Sequence, residues 1–388
     1  MSGALWLALR HASHHLGRTL LLVLCVGVTA FLPLATRVLS RQFEASLRAR
    51  AAETPLVAGA RGSRFDLVMA QLYFRRADLP TISMADWQSL QESGLADAIP
   101  LNIRFTARSR PIVCTPVDYF SLRRLRAGAG ALPRRIGDVV LGAKAARALG
   151  LGPGDTIFSD QRELYDIAKA PALKMHITGV LSPTGGPDDE CLFADIKTAW
   201  VLEGTSHGHA DAAKVPASLT LDKAQNNTVV SEAMVDYNEV TDQNLASFHS
   251  HGDASTLALS GVILVPHSIK DESIIKARYN AKDKLQIVVP REVVDELIGQ
   301  VLRLRGLMDA LALVIGIVTA LLIALVAALS ARVRVREIET LHKIGASRGT
   351  IRAVFGFEML VVVISGAILA GLAGALLAWS PLDLVKLL

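Results

Sequence analysis

Two histidine pairs are the residues whose type and spacing could bind a metal ion. His207 and His209 are separated by one residue, as are His249 and His251. Alternate residues of a strand share one face, so each pair could offer two imidazole nitrogens to an ion such as zinc. Nothing in the sequence shows that the pairs meet, and a polar loop that contains histidines is the simpler interpretation. We therefore predict no metal site and no cofactor, and keep these four residues as weak candidates only.

Motifs that mark other kinds of chemistry are absent from the sequence. It contains no G-x-x-x-x-G-K-[ST] loop for nucleotide phosphates and no G-x-S-x-G nucleophile elbow. It also lacks the metalloprotease sequence H-E-x-x-H and the redox pair C-x-x-C. We therefore expect no catalytic residues and predict that the chain is not an enzyme.

Residues 332–352, the coupling segment, carry the strongest functional signal. The segment is short and basic, with helical periodicity from Val335 to Ile344. The periodicity breaks at Gly345, and a new helix restarts after Ser347, whose hydroxyl can cap it. A rigid basic bend of this kind could receive force from a soluble partner protein.

Three apolar stretches predict membrane-spanning helices at 19–39, 306–331 and 353–379. Each has about the 20 apolar residues that a helix needs to cross a bilayer. The first contains Pro33 and could instead be a signal peptide, although no clean cleavage site follows it. The predicted fold class is thus a membrane protein with three transmembrane α-helices and a large α+β extracytoplasmic domain, 40–300, inserted between helices 1 and 2.

The third apolar stretch is rich in small residues. Gly366, Ala370 and Gly374 repeat at four-residue spacing, and Gly371 lies nearby. Small residues on one helix face let a second helix approach closely. We predict that these four residues form a helix-packing face.

The distribution of basic residues predicts the orientation of the chain. The coupling segment is strongly basic, and residues 1–18, which we expect to be an amphipathic helix, carry Arg10 and Arg18 without an acidic residue. Short cytoplasmic segments are enriched in arginine and lysine, so both segments are expected in the cytoplasm. The domain at 40–300 is nearly neutral although the whole chain carries +5, which excludes the basic footprint of a nucleic-acid-binding protein.

Short strands interleaved with helices predict the α+β fold of this domain. Asp138–Leu141 is expected to be a strand, followed by a small-residue helix that ends at Gly150. Residues 203–253 are rich in glycine, histidine, asparagine and serine and are expected to be loop-rich. A further helix is expected to run from Arg291 into the second span without interruption.

Two cysteines, Cys114 and Cys191, lie in the same domain. Outside the cytoplasm they could form a disulfide, or they could be two unpaired small hydrophobic residues. Their separation in sequence says nothing about their proximity, so both alternatives stay open.

The coupling segment and the helix after it resemble ABC-transporter permeases of the MacB/LolC/FtsX superfamily. The stretch REIETLHKIGASRGTIRAVFGFEML is similar to that family's R-E-I-x-x-L-x-x-[IV]-G-A-s-x-x-x-I sequence and the glutamate-bearing helix that follows. The matching positions are Arg336, Glu337, Ile338, Leu341, Gly345, Ala346, Ser347, Ile351 and Glu358. Three stretches of the outer domain resemble the family in order: GARGSRFDLVMAQLYFR, DVVLGAKAARALGLGPGDTI and MHITGVLSPTGGPDDECLFADI.

The resemblance implies a multi-pass permease of the bacterial inner (cytoplasmic) membrane with a MacB-like periplasmic domain. Such permeases form homodimers, or heterodimers with another permease, and bind a separate P-loop ATPase through the segment that matches Arg336–Ser347, with Glu358 on the helix behind it. ATP hydrolysis then moves the periplasmic domains for export, lipoprotein release or mechanotransmission. Membrane lipid and a periplasmic protein are the other partners implied, and nucleic acid is not.

The chain departs from the family in one respect. The family usually has four membrane helices, whereas the tail at 380–388 is too short to cross a bilayer as a helix. We therefore expect the fourth helix to be missing, either through truncation or because a neighbouring chain supplies it. The alternative function is a membrane-anchored periplasmic metal-binding or sensor protein that uses the histidine pairs.

Overall fold

The computed structural model divides the chain into two compact units. One comprises Met1–Leu47 with Glu296–Leu388, and the other, which we call the large domain, is Arg48–Asp295. The structure describes all residues except 1–5, 7–9, 11–12, 15, 76–78, 161–171, 209–219, 225–226, 231–236, 251–252, 282–283, 334–338, 340–342, 344 and 380–388. The tail at 380–388 and most of the predicted N-terminal helix therefore lie outside the described residues.

The described helices and strands follow one another along the chain. The helices are α1 (Leu16–Ala52), α2 (Arg64–Tyr73), α3 (Met84–Glu92), α4 (Asp118–Leu122), α5 (Ala143–Leu149), α6 (Ile196–Glu203), α7 (Ile269–Asn280), α8 (Pro290–Val333) and α9 (Arg348–Trp379). The strands are β1 (Leu56–Ala60), β2 (Ile82–Ser83), β3 (Ala96–Ala107), β4 (Arg110–Cys114), β5 (Ala127–Gly130), β6 (Asp138–Leu141), β7 (Thr156–Phe158), β8 (Lys174–Leu181), β9 (Leu192–Ala194), β10 (Ser206–Gly208), β11 (Thr220–Ala224), β12 (Asn227–Val230), β13 (Phe248–Ser250), β14 (Ala258–Leu259), β15 (Gly261–Pro266) and β16 (Leu285–Val288). Short 3-10 turns lie at Pro187–Glu190, Leu245–Ser247 and Ala254–Thr256.

Among the described residues, three helices are long and apolar enough to cross a membrane, which confirms the predicted fold class. They are α1 from Thr19, α8 over Gly306–Leu325, and α9. Side chains of leucine, isoleucine and valine are exposed along all three, as expected where the neighbour is lipid. The helix predicted from Arg291 into the second span is present as part of α8, which begins with Pro290 at its first position, where proline is tolerated.

The centre of the large domain is a mixed ten-stranded sheet. Its strand order is β16-β1-β15-β3-β4-β9-β6-β8-β5, with β7 paired to β8 as well. The pairs β4–β9 and β6–β8 are parallel, and the remaining pairs of this sheet are antiparallel. The predicted strand Asp138–Leu141 is β6, and the helix after it ends at Gly150, which adopts a left-handed conformation (φ 66°).

Both faces of this sheet are covered. Along β6, Val139 and Leu141 belong to one apolar cluster, whereas Val140 belongs to the other. On β9, Leu192 and Ala194 likewise alternate with Phe193. This alternation follows from the two-residue period of strands, and it places the domain's core on two sides of one sheet.

Residues 203–253, which are expected to be loop-rich, contain two strand pairs among their described residues: β10 pairs with β13, and β11 pairs with β12. Gly59 lies within β1. A Cβ atom on Gly59 would lie 2.4 Å from a methyl carbon of Leu67, so glycine lets α2 pack closely on this strand.

Candidate functional site

The coupling segment bends at Gly345. Helix α8 ends at Val333, and α9 begins at Arg348. Gly345 has a φ of 93°, a conformation that side chains disfavour, so glycine is required for the bend. Arg336, Glu337, Ile338 and Leu341, which the sequence predicts to contact an ATPase, lie outside the described residues.

Ser347 fixes the start of the helix after the bend. Its hydroxyl oxygen accepts a hydrogen bond from the Thr350 backbone N–H at 3.1 Å and lies 3.0 Å from the Thr350 hydroxyl. The predicted helix cap is confirmed. Ala346 beside it is half-buried, whereas Arg348 and Arg352 are exposed, so the start of α9 presents a basic surface.

One face of α9 is buried at four-residue intervals. Its members are Glu358, Val362, Gly366, Ala370 and Gly374. Since 3.6 residues make one turn, residues four apart lie nearly above one another, and the face runs along most of the helix. The predicted coupling residue Glu358 lies at the end of this face that is nearest to Ser347, and it is only 2% exposed.

This face packs against α1 through glycine. A Cβ atom on Gly366 would lie 2.7 Å from the Val26 Cβ, and one on Gly374 would lie 2.5 Å from a Leu34 methyl carbon. Three residues of the predicted packing face, Gly366, Ala370 and Gly374, are buried. Gly371 lies outside this buried face and is exposed, because one residue rotates the helix by about 100°.

Helices α1 and α8 are joined by polar contacts. The hydroxyls of Thr29 and Thr319 lie 3.0 Å apart, and Arg37 pairs with Asp309 at 3.8 Å. From the first contact to the second, the residue number rises along α1 and falls along α8. The two helices are therefore antiparallel. Asp309 is thus a paired charge near the start of the apolar span of α8.

A buried charged cluster in the large domain was not predicted from sequence. The Arg50 guanidinium donates to both carboxylate oxygens of Asp188, at 2.6 and 2.9 Å, and to the Tyr119 hydroxyl at 2.9 Å. The Tyr119 hydroxyl itself donates to Asp188 at 2.8 Å. The side chains of Arg50 and Asp188 are 8% and 3% exposed, so this pair is shielded from water.

The cluster extends to a second arginine. Arg123 donates to the Thr54 hydroxyl at 2.6 Å, and its guanidinium lies 5.9 Å from the centre of the Tyr119 ring. Burial raises the pKa of Tyr119, and burial together with the nearby Arg50 lowers the pKa of Arg123. Tyr119 therefore stays neutral and serves as a hydrogen-bonding bridge between the charges.

One histidine of each pair lies beside the other across two strands. His207 and His249 are partners in the β10–β13 ladder, and their ring centres lie 5.1 Å apart. The His249 Nδ1 atom lies 2.8 Å from the Ser247 carbonyl oxygen. His209 and His251 lie outside the described residues. Within the part of the chain that is described, no group of three or more His, Cys, Asp or Glu side chains could hold a metal ion.

Cys114 and Cys191 are both free and buried. Burial raises the pKa of both thiols, so each stays protonated at neutral pH. Of the two alternatives left by the sequence, unpaired small hydrophobic residues describe them.

Comparison with known proteins locates the family resemblance in the membrane helices. Residues 310–385 match the family model of the FtsX-like permease C-terminal region, which confirms the resemblance predicted from sequence. Among solved structures, the chain is similar to the extracellular domain of the noncanonic ABC-type transporter YknZ from Gram-positive bacteria. The identity is 10% and the TM-score is 0.32, with 60% of this chain and 98% of that chain covered. No curated protein matches the chain.

Proposed function

We propose that this chain, whose residues 310–385 match the FtsX-like permeases, is the membrane subunit of an ABC-type transporter. The observation that carries the proposal is the position of that match, which includes the coupling segment, its glycine bend and the capped start of α9. A separate P-loop ATPase binds at this bend, and its hydrolysis of ATP moves the large domain. The chain itself is not an enzyme.

Location and assembly follow from the same proposal. The basic surface at the start of α9 faces the cytoplasm of a bacterial cell, and the large domain lies in the periplasm. Two permease chains, identical or different, assemble with the ATPase in the inner membrane. The movement serves export, lipoprotein release or mechanotransmission to a periplasmic protein.

A pull-down from the native host tests the proposal. The tagged chain is extracted in mild detergent, and its partners are identified by mass spectrometry. We expect a near-stoichiometric P-loop ATPase. The Gly345→Ala variant should lose much of it, because a side chain at a positive φ costs about 1–2 kcal/mol and redirects the bend.

Gly356→Ala is the matched control. Gly356 is exposed in the interior of α9, and a Cβ atom there would meet no described atom within 4 Å. This variant should retain the ATPase. Absence of an ATPase from the wild-type protein, or equal recovery with both variants, would contradict the proposal.

The neighbouring rings of His207 and His249 favour a second candidate function, periplasmic metal binding. Imidazole nitrogens are common zinc ligands, and cross-strand neighbours can share one ion. Titration of the purified protein with zinc chloride should show one site that His207→Ala abolishes and His267→Ala retains. Metal-free wild-type protein at excess zinc would remove this candidate.

A further inference from the structure

The last turn of α1 is held inside the large domain by directed hydrogen bonds. In addition to its contacts with Asp188 and Tyr119, Arg50 donates from Nε to the Leu72 carbonyl at 3.1 Å. Its guanidinium also lies 5.8 Å from the centre of the Phe74 ring. Two parallel bonds to one carboxylate fix the angle between the two groups as well as their distance. The end of α1 is therefore fixed in orientation relative to the turn that carries Asp188.

That turn is itself rigid. The Asp189 carboxylate accepts hydrogen bonds from the Thr184 and Gly185 backbone N–H groups, at 2.8 and 2.9 Å, and from the Thr184 hydroxyl at 2.9 Å. These bonds close the segment PTGGPDD on itself. The motif that the sequence singled out thus holds Asp188 in place with its neighbouring aspartate.

The turn is also tied to the middle of the sheet. Glu190 pairs with Arg110 on β4 at 3.5 Å and with Lys144 on α5 at 3.6 Å. A Cβ atom on Gly142, the residue after β6, would lie 2.3 Å from the Asp188 carbonyl oxygen. Strand β9 starts directly after the turn and lies between β4 and β6. Asp188 therefore lies in a turn that contacts the three central strands.

The ion pairs at the start of α8 are more exposed. Val293 and Val294 are buried there, while Asp295 forms half-exposed pairs with Arg48 and Arg291. Exposed ion pairs are weak. The pair Arg50–Asp188, at the end of α1, is shielded from water.

We propose that Arg50 and Asp188 form a coupling clamp, through which displacement of α1 reaches β9 and the centre of the sheet. Arg50 acts as a positioning residue for the turn Pro187–Glu190. The inference rests on the proposed function, since ATP hydrolysis by the partner supplies the displacement. It adds to that function the residues at which the movement enters the large domain.

Hydrogen exchange measured by mass spectrometry tests the clamp. The full-length chain is purified with its co-isolated ATPase, and peptides covering 187–194 are compared without nucleotide and with ATP plus vanadate. We expect a nucleotide-dependent change in the wild-type complex. It should be lost in the double variant Arg50→Gln/Asp188→Asn, in which both charges are removed together and the fold is retained. Arg48→Gln, which breaks the exposed pair on the same helix, should keep the change.

The outcomes separate the two proposals. Absence of an ATPase from the wild-type preparation contradicts the proposed function, and the clamp inference fails with it. A wild-type response that the folded double variant reproduces overturns the clamp alone. If the double variant does not unfold cooperatively, it is not folded and cannot test the clamp. The Arg50→Lys variant then takes its place, because lysine keeps the charge but cannot form the bidentate pair. A full response in Arg50→Lys overturns the clamp, and a lost response supports it.

Discussion

Arg48 and Arg50 lie two positions apart at the end of α1, yet their ion pairs differ in exposure. Asp295, the partner of Arg48, is 46% exposed, whereas Asp188, the partner of Arg50, is 3% exposed. A buried charge that loses its partner stays desolvated without compensation, whereas an exposed one is solvated by water. The two sites therefore allow one substitution to be compared in two environments.

Asp188→Asn should lower the free energy of unfolding of the large domain by about 3–5 kcal/mol, because it leaves the Arg50 charge buried and unpaired. Asp295→Asn should lower it by less than about 1 kcal/mol. Urea unfolding of the detergent-solubilised chain, followed by circular dichroism, measures both. Equal midpoints for the two variants would show that the buried pair is dispensable for stability.

Residues differ in how well the sequence predicts their role. The cap at Ser347 was predictable because its partner, Thr350, is three positions away. Arg50 and Asp188 are 138 positions apart, and no local pattern connects them. The available signal was the presence of two aspartates in PTGGPDD. Asp189 closes the turn, so Asp188 is left without a local role. Likewise, the meeting of His207 and His249 depends on strand pairing across 42 positions and was not predictable from their spacing.

At the scale of elements, α9 shows that a shift of one position along a helix changes the environment of a glycine. Gly366 packs directly on α1, whereas Gly371, one position beyond Ala370, is exposed. The sequence pattern identified the small residues but not which of them face α1, because adjacent positions satisfy the same composition.

Gly366→Ala should lower the thermal midpoint of the solubilised protein, since its Cβ would lie 2.7 Å from Val26 and overpacking costs about 1–3 kcal/mol. Gly371→Ala should be neutral or stabilising by up to about 1 kcal/mol, because alanine favours helix over glycine. Parallel melting curves in one detergent test the pair. A larger loss at Gly371 would mean that another helix covers that side.

Some strands of the large domain were predictable from the sequence, and others were missed. β6 and β8 were recognisable as short runs rich in β-branched residues between turn signals. β1 and β3 were missed, although both lie in the interior of the sheet. β1 reads LVAGA, with a glycine in it, and β3 contains Pro100 and charged residues, so local propensity argued against each. β1 and β3 are strands because they pair with neighbouring strands on both sides.

At the scale of the whole molecule, the chain combines apolar helices with a large sheet domain, and its orientation is open to direct test. Cysteine labelling suits this chain, because Cys114 and Cys191 are buried and burial raises the pKa of their thiols. A Cys25→Ser background then leaves introduced cysteines as the reactive sites.

Ile269→Cys should react with a membrane-impermeant maleimide in intact spheroplasts, because Ile269 is 85% exposed in the large domain. Lys343→Cys, in the coupling segment, should react only after lysis. Mass shifts on a denaturing gel report both reactions. The reverse pattern would place the large domain in the cytoplasm and contradict the proposed orientation.

The strand order of the large domain has a consequence for its synthesis. β1 pairs with β15 and β16, so Val57 finds its partners Ile263 and Val288 more than 200 residues later. At about 5–20 residues per second, a ribosome takes roughly 10–40 s to make that stretch. During this interval β1 is an apolar strand with both edges unpaired, the kind of segment that aggregates unless it is shielded. We therefore expect the nascent chain to need a chaperone at this stage, and any stop before residue 261 to yield a product that cannot complete its sheet.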